Sequence, residues 1–401
     1  MILHTNLLTS KSEIDALAEK LSQKSIIAYD TEFIRESTFF PVLEVIQVAT
    51  DEESWLIDAQ AFRKKHEDLK SLFDVFKNPK ILKIVHAASG DQECIYTAYG
   101  VMPAPIFDTA IGASLCGFGE SVGLANLLRS VLGIEIKKGH ARTNWSVRPL
   151  STQLLEYAIG DVKDLVRLAE ALLVQLEKKN RKAWALELSS KWENPALFES
   201  DPDAIALKYA KSSRMDRETF SVFLEMIRWR EKRVRELNVP RRWLADDSVC
   251  MDLARVKPKD ISHLQSFRGV NGGELKNHPQ KILDAIFRGL QNKAECGYER
   301  LERRTRDQIP SEAENRAIEL TKCFLGMLAD REGLTPRHLV NTDQWLGLLR
   351  SPKKDVGEWL AQGLITEEGA RLIGVELAKF MNGEIGLTVS GGAVKECDLR
   401  S

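Results

Sequence analysis

Short apolar runs separated by polar turns run through the first 190 residues. These runs predict strands over 25–33, 43–50, 54–58, 80–86 and 106–108. Apolar positions at helical spacing predict helices over 10–23, 62–76 and 90–99, and over most of 121–176 apart from a loop near 139–149. A further charged helix is predicted over 178–193. Mixed strands and helices of this kind predict an α/β layered domain over 1–195.

The rest of the chain shows helical spacing and no strand pattern. After a turn-rich linker over 194–203, a long amphipathic helix over 217–237 and shorter ones over 248–255, 259–265 and 279–290 predict a small all-α domain over 205–292. A charged connector leads to a second predicted all-α domain over 312–385. The glycine-rich residues after 383 are expected to form a loose tail.

The charge distribution separates these regions. The 401 residues carry a net charge of −1, which by itself indicates no partner. Residues 205–295, however, hold 19 Lys and Arg against 12 Asp and Glu, whereas residues 1–190 hold 22 against 25. A basic module beside a slightly acidic one fits a nucleic-acid partner. A solvated charged helix surface explains the same counts.

The six cysteines are scattered and form no C-x-x-C pair, so no zinc or redox motif is predicted. The N-terminal residues lack the basic and apolar pattern of a secretory leader, and no apolar run approaches the ~18–20 residues of a membrane span. We therefore expect a cytoplasmic protein that makes no membrane contact, and we expect a monomer.

Two carboxylates, Asp30 and Glu32, stand at the end of the apolar strand over 25–33. Side chains on a strand alternate between faces, so these two acids share one face. Like charges held this close repel each other, and a divalent cation such as Mg²⁺ relieves the repulsion. A polar strand end that leads into a loop is the simpler alternative for this pair alone.

Two further sites carry acids. Asp91 lies in the first turn of a predicted helix that follows a strand, where helix capping alone explains a carboxylate. Tyr157 and Asp161 are four residues apart and lie on one helical face, with Asp164 more typical of a surface charge. Each site is weak by itself, and the order of strand, helix start and helix makes the combination specific.

The motifs D-x-E at Asp30 and Glu32, the aspartate at Asp91 and Y-x-x-x-D at Tyr157 and Asp161 resemble those of the DEDD exonucleases, in the subclass with tyrosine. The stretches HAASGDQE over 86–93, FDT over 107–109 and TNWSVRPLSTQLLEYAIGDV over 143–162 are similar to the ribonuclease D family in particular. Gly160 stands where that family often has alanine or another small residue, which is a minor departure.

The helical region also resembles a known domain. The segment from Phe223 through Trp229 to Pro240 resembles the core of the HRDC domain, a helical module found in bacterial ribonuclease D and RecQ-type helicases. Together the resemblances imply an α/β ribonuclease-H-like exonuclease domain followed by two small all-α HRDC-type domains. The second of these, over 312–385, is identified mainly by its position.

The resemblance implies a metal-dependent 3′→5′ exoribonuclease that releases nucleoside 5′-monophosphates. The implied substrates are tRNA precursors and other structured small RNAs with 3′ ends to be trimmed. Phosphodiester hydrolysis needs an activated water and a stabilised leaving oxygen, which two divalent ions, Mg²⁺ or Mn²⁺, supply. The ligands would be Asp30, Glu32, Asp91 and Asp161, and the Tyr157 hydroxyl would position the attacking water.

Several other residues are candidates for substrate contacts. Phe33 can stack on a terminal base, although core packing explains it equally. Arg142, Trp145 and Arg148 lie in a basic, aromatic loop before the third motif, where a core tryptophan and an Arg-Pro helix start are the alternatives. The arginines over 228–242 form a candidate RNA surface, or a solvated helix face.

Two alternative functions are open at this point. A DNA exonuclease of the Werner type uses the same four acids, because the 2′-hydroxyl is sensed by other contacts. An RNA-binding scaffold with an inert first domain is the non-enzymatic alternative, and the complete set of acids together with Tyr157 argues against it.

Overall fold

The computed structural model describes residues 2–136, 143–211, 213, 215–301 and 309–399. The chain divides into two compact units. One unit comprises Met1–Phe107, Lys137–Arg167 and Ser189–Arg303, and the other comprises Asp108–Ile136, Leu168–Leu188 and Arg304–Ser401.

A six-stranded mixed sheet forms the centre of the first unit, in the order β1-β4-β3-β2-β5-β6. The three central strands pair antiparallel through β4, β3 and β2, while β1 pairs parallel with β4 and β5 pairs parallel with β2. The strands are β1 (Ile2–Leu8), β2 (Ile26–Ile34), β3 (Val42–Ala49), β4 (Glu53–Asp58), β5 (Leu82–Val85) and β6 (Ile106–Asp108).

The described part of residues 1–190 also contains nine helices. They are α1 (Lys11–Ser22), α2 (Ala59–Phe62), α3 (Lys70–Phe76), α4 (Ser89–Tyr99), α5 (Thr109–Cys116), α6 (Leu124–Leu132), α7 (Thr152–Val162), α8 (Leu165–Lys178) and α9 (Lys182–Ser190). Of these helices, α5, α6 and most of α8 and α9 belong to the second unit.

The sheet is buried on both faces because its central strands are apolar on both sides. One face carries Tyr29, Ile46 and Val48, which pack in a cluster with residues of α1, α3 and α4. The other face carries Val45 and Leu56, which pack against the loop before α7 and against α7 itself. The strand β2 therefore lies inside the sheet with helices on each side, as its apolar run predicts.

The first helical region contains α10 (Pro202–Lys211), α11 (Arg217–Leu237), α12 (Arg241–Leu244), α13 (Asp247–Val256), α14 (Ile261–Gln265), α15 (Gly272–Asn277) and α16 (Pro279–Gln291). The long helix α11 packs along α16, and a Cβ atom at Gly289 would lie 2.5 Å from the Cα of Val222. Glycine is therefore required for this close approach. Asn238, with φ of 50°, ends α11 in the left-handed conformation typical of a helix C-terminus.

This helical region touches the loop that follows the acid-bearing strand β2. The side-chain oxygen of Asn238 accepts hydrogen bonds from the backbone N–H groups of Phe39 and Phe40, both at 3.1 Å. The guanidinium of Arg241 lies 5.0 Å from the centre of the Phe39 ring. The end of α11 thus holds the β2–β3 loop in place.

The second helical region contains α17 (Glu312–Glu332), α18 (Pro336–Leu339), α19 (Trp345–Arg350), α20 (Val356–Ala361) and α21 (Glu367–Met381). We expected a loose tail after residue 383 and no strands beyond residue 203. Both predictions are wrong. Instead β7 (Ile385–Ser390) and β8 (Ala393–Asp398) form an antiparallel hairpin. Gly391 and Gly392 both have positive φ, which is the backbone that a two-residue hairpin turn requires.

Two predicted helices are interrupted in the structure, and one strand was not predicted. The predicted helix over 62–76 is interrupted by a 3₁₀ turn at His66–Leu69, because the polar run before it offers no apolar face to bury. The predicted helix over 178–193 is divided by Asn180, whose φ of 54° breaks the helical path. The strand β1 was not predicted. Within the described residues no helix is long and apolar enough to cross a membrane.

Candidate active site

The strand β2 presents Asp30 and Glu32 on the sheet face that α7 covers. Asp30 lies directly opposite Gln47 in β3, and Glu32 lies opposite Val45. Val45 belongs to the apolar cluster that includes residues of α7, whereas Tyr29 points into the cluster on the other face. The alternation of side chains along a strand therefore places both acids beneath α7, as the sequence predicts.

The helix α7 brings the third acid to the same place. Ser151 caps its first turn by accepting from the N–H of Leu154, and Ala158, Ile159 and Val162 form its buried side. Asp161 lies four residues after Tyr157, so both side chains project from one face. Carboxylate oxygens of Asp30, Glu32 and Asp161 lie within 4.8 Å of one another. Across the residues that the structure describes, no other group of three metal-ligand side chains is this close.

Asp91 approaches β2 from a different direction. The strand β5 pairs with β2 only from Ile26 to Ala28, so the next residues of β2 are not paired on that side. The first turn of α4 lies there, and Oδ1 of Asp91 accepts from the Thr31 backbone N–H at 3.0 Å and from the Thr31 hydroxyl at 2.6 Å. Asp91 is therefore near the three-carboxylate group but outside it.

The pKa values of the acids show that their negative charges are not balanced by nearby positive groups. Burial, together with the charges of Asp91, Asp161 and Glu32, raises the pKa of Asp30 well above its ordinary value. Burial and then the charges of Asp161 and Asp91 raise the pKa of Glu32 to about 9. Burial raises the pKa of Asp161 to about 6, although a hydrogen bond from Tyr157 acts in the opposite direction.

No lysine, arginine or histidine among the described residues forms an ion pair with Asp30, Glu32 or Asp161. A site of buried carboxylates without a basic partner is stable in its charged form only when a cation enters it. Carboxylate oxygens are the ligands preferred by hard divalent ions such as Mg²⁺ and Mn²⁺. The donor set therefore fits a divalent cation.

Tyr157 is held between the acids and the core. Its ring centre lies 6.1 Å from that of Trp145. Burial, followed by the charges of Asp161 and Glu32, raises the pKa of its hydroxyl. The hydroxyl therefore stays protonated at neutral pH, and it acts as a hydrogen-bond donor rather than a base.

The four candidate substrate contacts have different surroundings. Phe33 is half-buried beside the start of α4, where a Cβ atom at Gly90 would lie 3.4 Å from its ring. Trp145 is only 2% exposed and belongs to the apolar core under α7, which favours the core-packing alternative over a base contact. A flat apolar ring in a loop gains more from burial between β3, β4 and α7 than from exposure. Arg142 lies outside the described residues.

Arg148 is likewise a structural residue here rather than a free phosphate contact. Its guanidinium donates two hydrogen bonds to the Asp58 carboxylate, at 3.0 and 2.8 Å, and others to the carbonyls of Glu44, Trp145 and Val147. A bidentate carboxylate pair uses the planar shape of the guanidinium fully. Arg148 thus ties the loop before α7 to the ends of β3 and β4.

Most arginines of the candidate RNA surface on α11 form ion pairs with acids of the same protein. Arg228 binds Asp203 and Glu225, and Arg233 binds Glu274 and Glu236. Further along, Arg230 and Arg241 both bind Glu231. The positive excess of this region therefore neutralises carboxylates of the same helical region to a large extent.

Sequence reasoning missed two residues beside the acids. Thr31, between Asp30 and Glu32, donates to Asp91 through its backbone N–H and through its hydroxyl. Gln47, opposite Asp30, is completely buried in β3. The signal for Gln47 was present in the sequence, because it is the one amide in the apolar run LEVIQVA over 43–49.

Comparison with known proteins places this site in a class. The 3′-5′ exonuclease family matches residues 6–177, and the HRDC domain family matches residues 219–286. The first match contains Asp30, Glu32, Asp91, Tyr157 and Asp161. The matches define a class of protein in which a 3′-5′ exonuclease domain is joined to an HRDC domain, and they confirm the predicted α/β exonuclease domain followed by a helical region with HRDC.

Full-length relatives narrow the class further. The chain is 30% identical over 391 residues to ribonuclease D of Bartonella henselae, covering 97% of this chain and 93% of that protein. It is 32% identical over 391 residues to ribonuclease D of Zymomonas mobilis, covering 97% of each. The chain belongs to the ribonuclease D family, so its enzymatic class is that of a 3′-5′ exoribonuclease.

Solved structures agree on the fold. The crystal structure of Escherichia coli RNase D, described as an exoribonuclease involved in structured RNA processing, matches with a TM-score of 0.73 at 22% identity over 94% of this chain and 98% of that one. The catalytic core of RRP6 from Trypanosoma brucei matches with a TM-score of 0.54 at 19% identity over 73% of this chain and 80% of that one.

Proposed function

We propose that this exoribonuclease trims the 3′ ends of structured RNAs such as tRNA precursors, one nucleoside 5′-monophosphate at a time, with two divalent ions at the site. The observation that carries the proposal is the group of three carboxylates, from β2 and α7, whose oxygens lie within 4.8 Å. Asp91 is the further acid beside this group. Membership of the ribonuclease D family supports RNA as the substrate, and the similar E. coli RNase D is described as involved in structured RNA processing.

The acids divide into two sets by their positions. Glu32 and Asp161 flank Asp30 on the side of α7, while Asp91 reaches β2 where β5 ends. In this proposal Asp30, Glu32 and Asp161 would hold one ion, and Asp30 together with Asp91 would hold the second. When bound, such ions lower the pKa of the attacking water and neutralise the charge that develops on the leaving oxygen.

Tyr157 positions the attacking water in this proposal. Its hydroxyl donates to Asp161, and its raised pKa keeps the proton on the oxygen. With that proton donated to Asp161, the hydroxyl oxygen accepts a hydrogen bond from the water and holds the water without removing its proton. Phe33, half-buried next to the start of α4, is the remaining described candidate for stacking on the terminal base.

The domain division is part of the proposal. The exonuclease match over 6–177 lies inside the predicted domain 1–195, and the HRDC match over 219–286 lies inside the predicted domain 205–292. We propose that residues 312–385 form a second HRDC-type domain. A monomeric, cytoplasmic enzyme remains the prediction.

The proposal is tested with a tRNA precursor labelled at its 3′ end, in the presence of Mg²⁺ or Mn²⁺. The wild-type protein is expected to release labelled 5′-mononucleotide from the first turnover, and Asp161→Asn is expected to release none. Glu156→Gln is the matched control, because Glu156 is an exposed acid on the same helix and lies outside the carboxylate group. Internal fragments, or equal rates for the two variants, would contradict the proposal.

Matched RNA and DNA oligonucleotides of one sequence decide between RNA and DNA as the preferred substrate. The proposal expects faster digestion of RNA. A preference for DNA would support the Werner-type alternative instead.

A further inference from the structure

A buried glutamine stands next to the acid at the centre of the site. Gln47 is 0% exposed, and neither its amide nitrogen nor its amide oxygen has a hydrogen-bond partner among the described residues. It lies in the middle of β3, directly opposite Asp30 in β2 and opposite Leu56 in β4.

The sheet geometry determines the direction of this side chain. Directly opposed residues of antiparallel strands point to the same face, with Cβ atoms about 4.5–5.5 Å apart. The neighbours of Gln47 along the strand, Ile46 and Val48, belong to the apolar cluster on the other face. Gln47 therefore shares the face of Asp30 and is its direct neighbour across the strand pair.

An unpartnered amide at this position needs an explanation. Burying an amide without hydrogen bonds is unfavourable, and such groups are rare in native proteins. The adjacent positions on the same face are filled by Val45 and Leu56, so an apolar side chain would suit the packing better. The amide is thus expected to serve a state of the site other than the ion-free one.

We infer that Gln47 is a positioning residue that orients the Asp30 carboxylate for a bound divalent ion. When one Asp30 oxygen faces the ion, the amide N–H of Gln47 donates to the other oxygen and fixes the plane of the carboxylate. Partners of this kind, which bind the ligand rather than the ion, commonly determine metal affinity. This inference rests on the proposed metal site at Asp30.

The test is Gln47→Leu in the full-length protein, a substitution of similar volume. Mn²⁺ affinity, measured from the electron paramagnetic resonance signal of free Mn²⁺, is expected to fall about 10- to 100-fold. The Tm of the ion-free variant is expected to stay level or rise, because an unpartnered buried amide has been removed. A residue with a merely structural role would lower the Tm and leave Mn²⁺ affinity unchanged.

Two control variants separate the possible failures. Ser54 is the other buried side chain on this face of the sheet whose polar atom has no partner among the described residues, and it lies opposite Ala49 rather than Asp30. Ser54→Ala is therefore expected to leave Mn²⁺ affinity unchanged, while Asp30→Asn is expected to abolish tight binding. If the wild type does not bind Mn²⁺, the proposed function fails. If Gln47→Leu binds as the wild type does and Asp30→Asn does not, only the inference about Gln47 is overturned.

A crystal structure of the wild-type protein with Mn²⁺ gives an answer even if Gln47→Leu fails to fold. An Nε2 atom of Gln47 within about 3.2 Å of an Asp30 oxygen supports the inference. A water that joins Gln47 to Ser54, with no contact from Gln47 to Asp30, overturns it.

Discussion

Two buried groups of charged residues in the same unit have opposite character. The site at Asp30, Glu32 and Asp161 contains acids alone, and the pKa of Glu32 is raised to about 9. In the helical region, Glu231 is 0% exposed but binds Arg230 at 3.0 Å and Arg241 at 2.7 Å. Burial acts to raise the pKa of Glu231, and the two arginines reverse this so that its pKa is lowered.

The presence or absence of a basic partner distinguishes a structural buried acid from an acid in a binding site. A buried carboxylate that has its own arginines is already stable and has no use for a ligand. A group of buried carboxylates without arginines is unstable in the ion-free protein, and such unrelieved charge is typical of a binding site. Charge density alone therefore does not identify a functional surface, as the internally paired arginines of α11 illustrate.

The largest effect is expected at the uncompensated site. Asp30→Asn should reduce the rate of 3′-nucleotide release by about 10³-fold or more, since metal-assisted chemistry contributes several kcal/mol to transition-state stabilisation. The same substitution removes one repelling charge, so the ion-free Tm should rise. A quenched-flow assay and a thermal melt with a chelator measure the two effects. Lower stability together with normal turnover would show that Asp30 is an ordinary structural acid.

Removing the acid of the paired group, Glu231, should lower stability instead of raising it. Glu231→Gln leaves the buried guanidinium of Arg230 with less counter-charge, and unfolding in urea should show a loss of about 3–5 kcal/mol. Glu236→Gln is the control, because Glu236 forms a surface pair with Arg233 at 3.0 Å and should cost less than about 1 kcal/mol. Equal losses for the two variants would show that the buried ion pairs of Glu231 contribute no more than a surface pair.

The pH dependence of stability follows from the raised pKa values. Glu32 and Asp161 have folded-state pKa values of about 9 and about 6, above those of the unfolded chain, so the folded state holds more protons. The contribution of these two groups to ion-free stability is therefore greatest at low pH and should fall as the pH rises from about 4.5 to about 9, by at most about 1.4 kcal/mol per pH unit for each titrating group. Urea unfolding at several pH values measures this slope.

Saturating Mg²⁺ is expected to flatten that slope, since a bound cation favours the charged carboxylates in the folded state. Asp30→Asn should also flatten it in part without any ion. A slope that is the same with and without Mg²⁺ would argue against a cation among these acids.

The smallest effect is expected at Thr31. Thr31→Val removes the hydroxyl that donates to Asp91 at 2.6 Å while the backbone N–H remains, so stability should fall by about 1–2 kcal/mol. Thr31→Ser keeps the hydroxyl and should retain most of that energy. Denaturant unfolding of the three proteins side by side measures the difference. A Thr31→Val variant as stable as the wild type would show that the hydroxyl bond to Asp91 contributes nothing, and a loss confined to Thr31→Ser would assign the effect to the methyl group.

Local periodicity made much of the fold and the site predictable. The strand period of two put Asp30 and Glu32 on one face, and the helical period of 3.6 put Tyr157 and Asp161 on one face. Both depend only on near neighbours in the chain. The helix Arg217–Leu237 was predicted with its observed limits from its amphipathic spacing, and in the structure Asp216 caps its start and Asn238 ends it.

The amino-acid sequence alone determined the family, the acids and the elements that carry them. Only the tertiary structure decided which charges are balanced, because the partners of Arg148 and Arg233 are distant in sequence. It also buried Trp145, paired Thr31 with Asp91, and set Gln47 opposite Asp30. Such contacts depend on strand register and helix packing, which no local pattern in the sequence specifies.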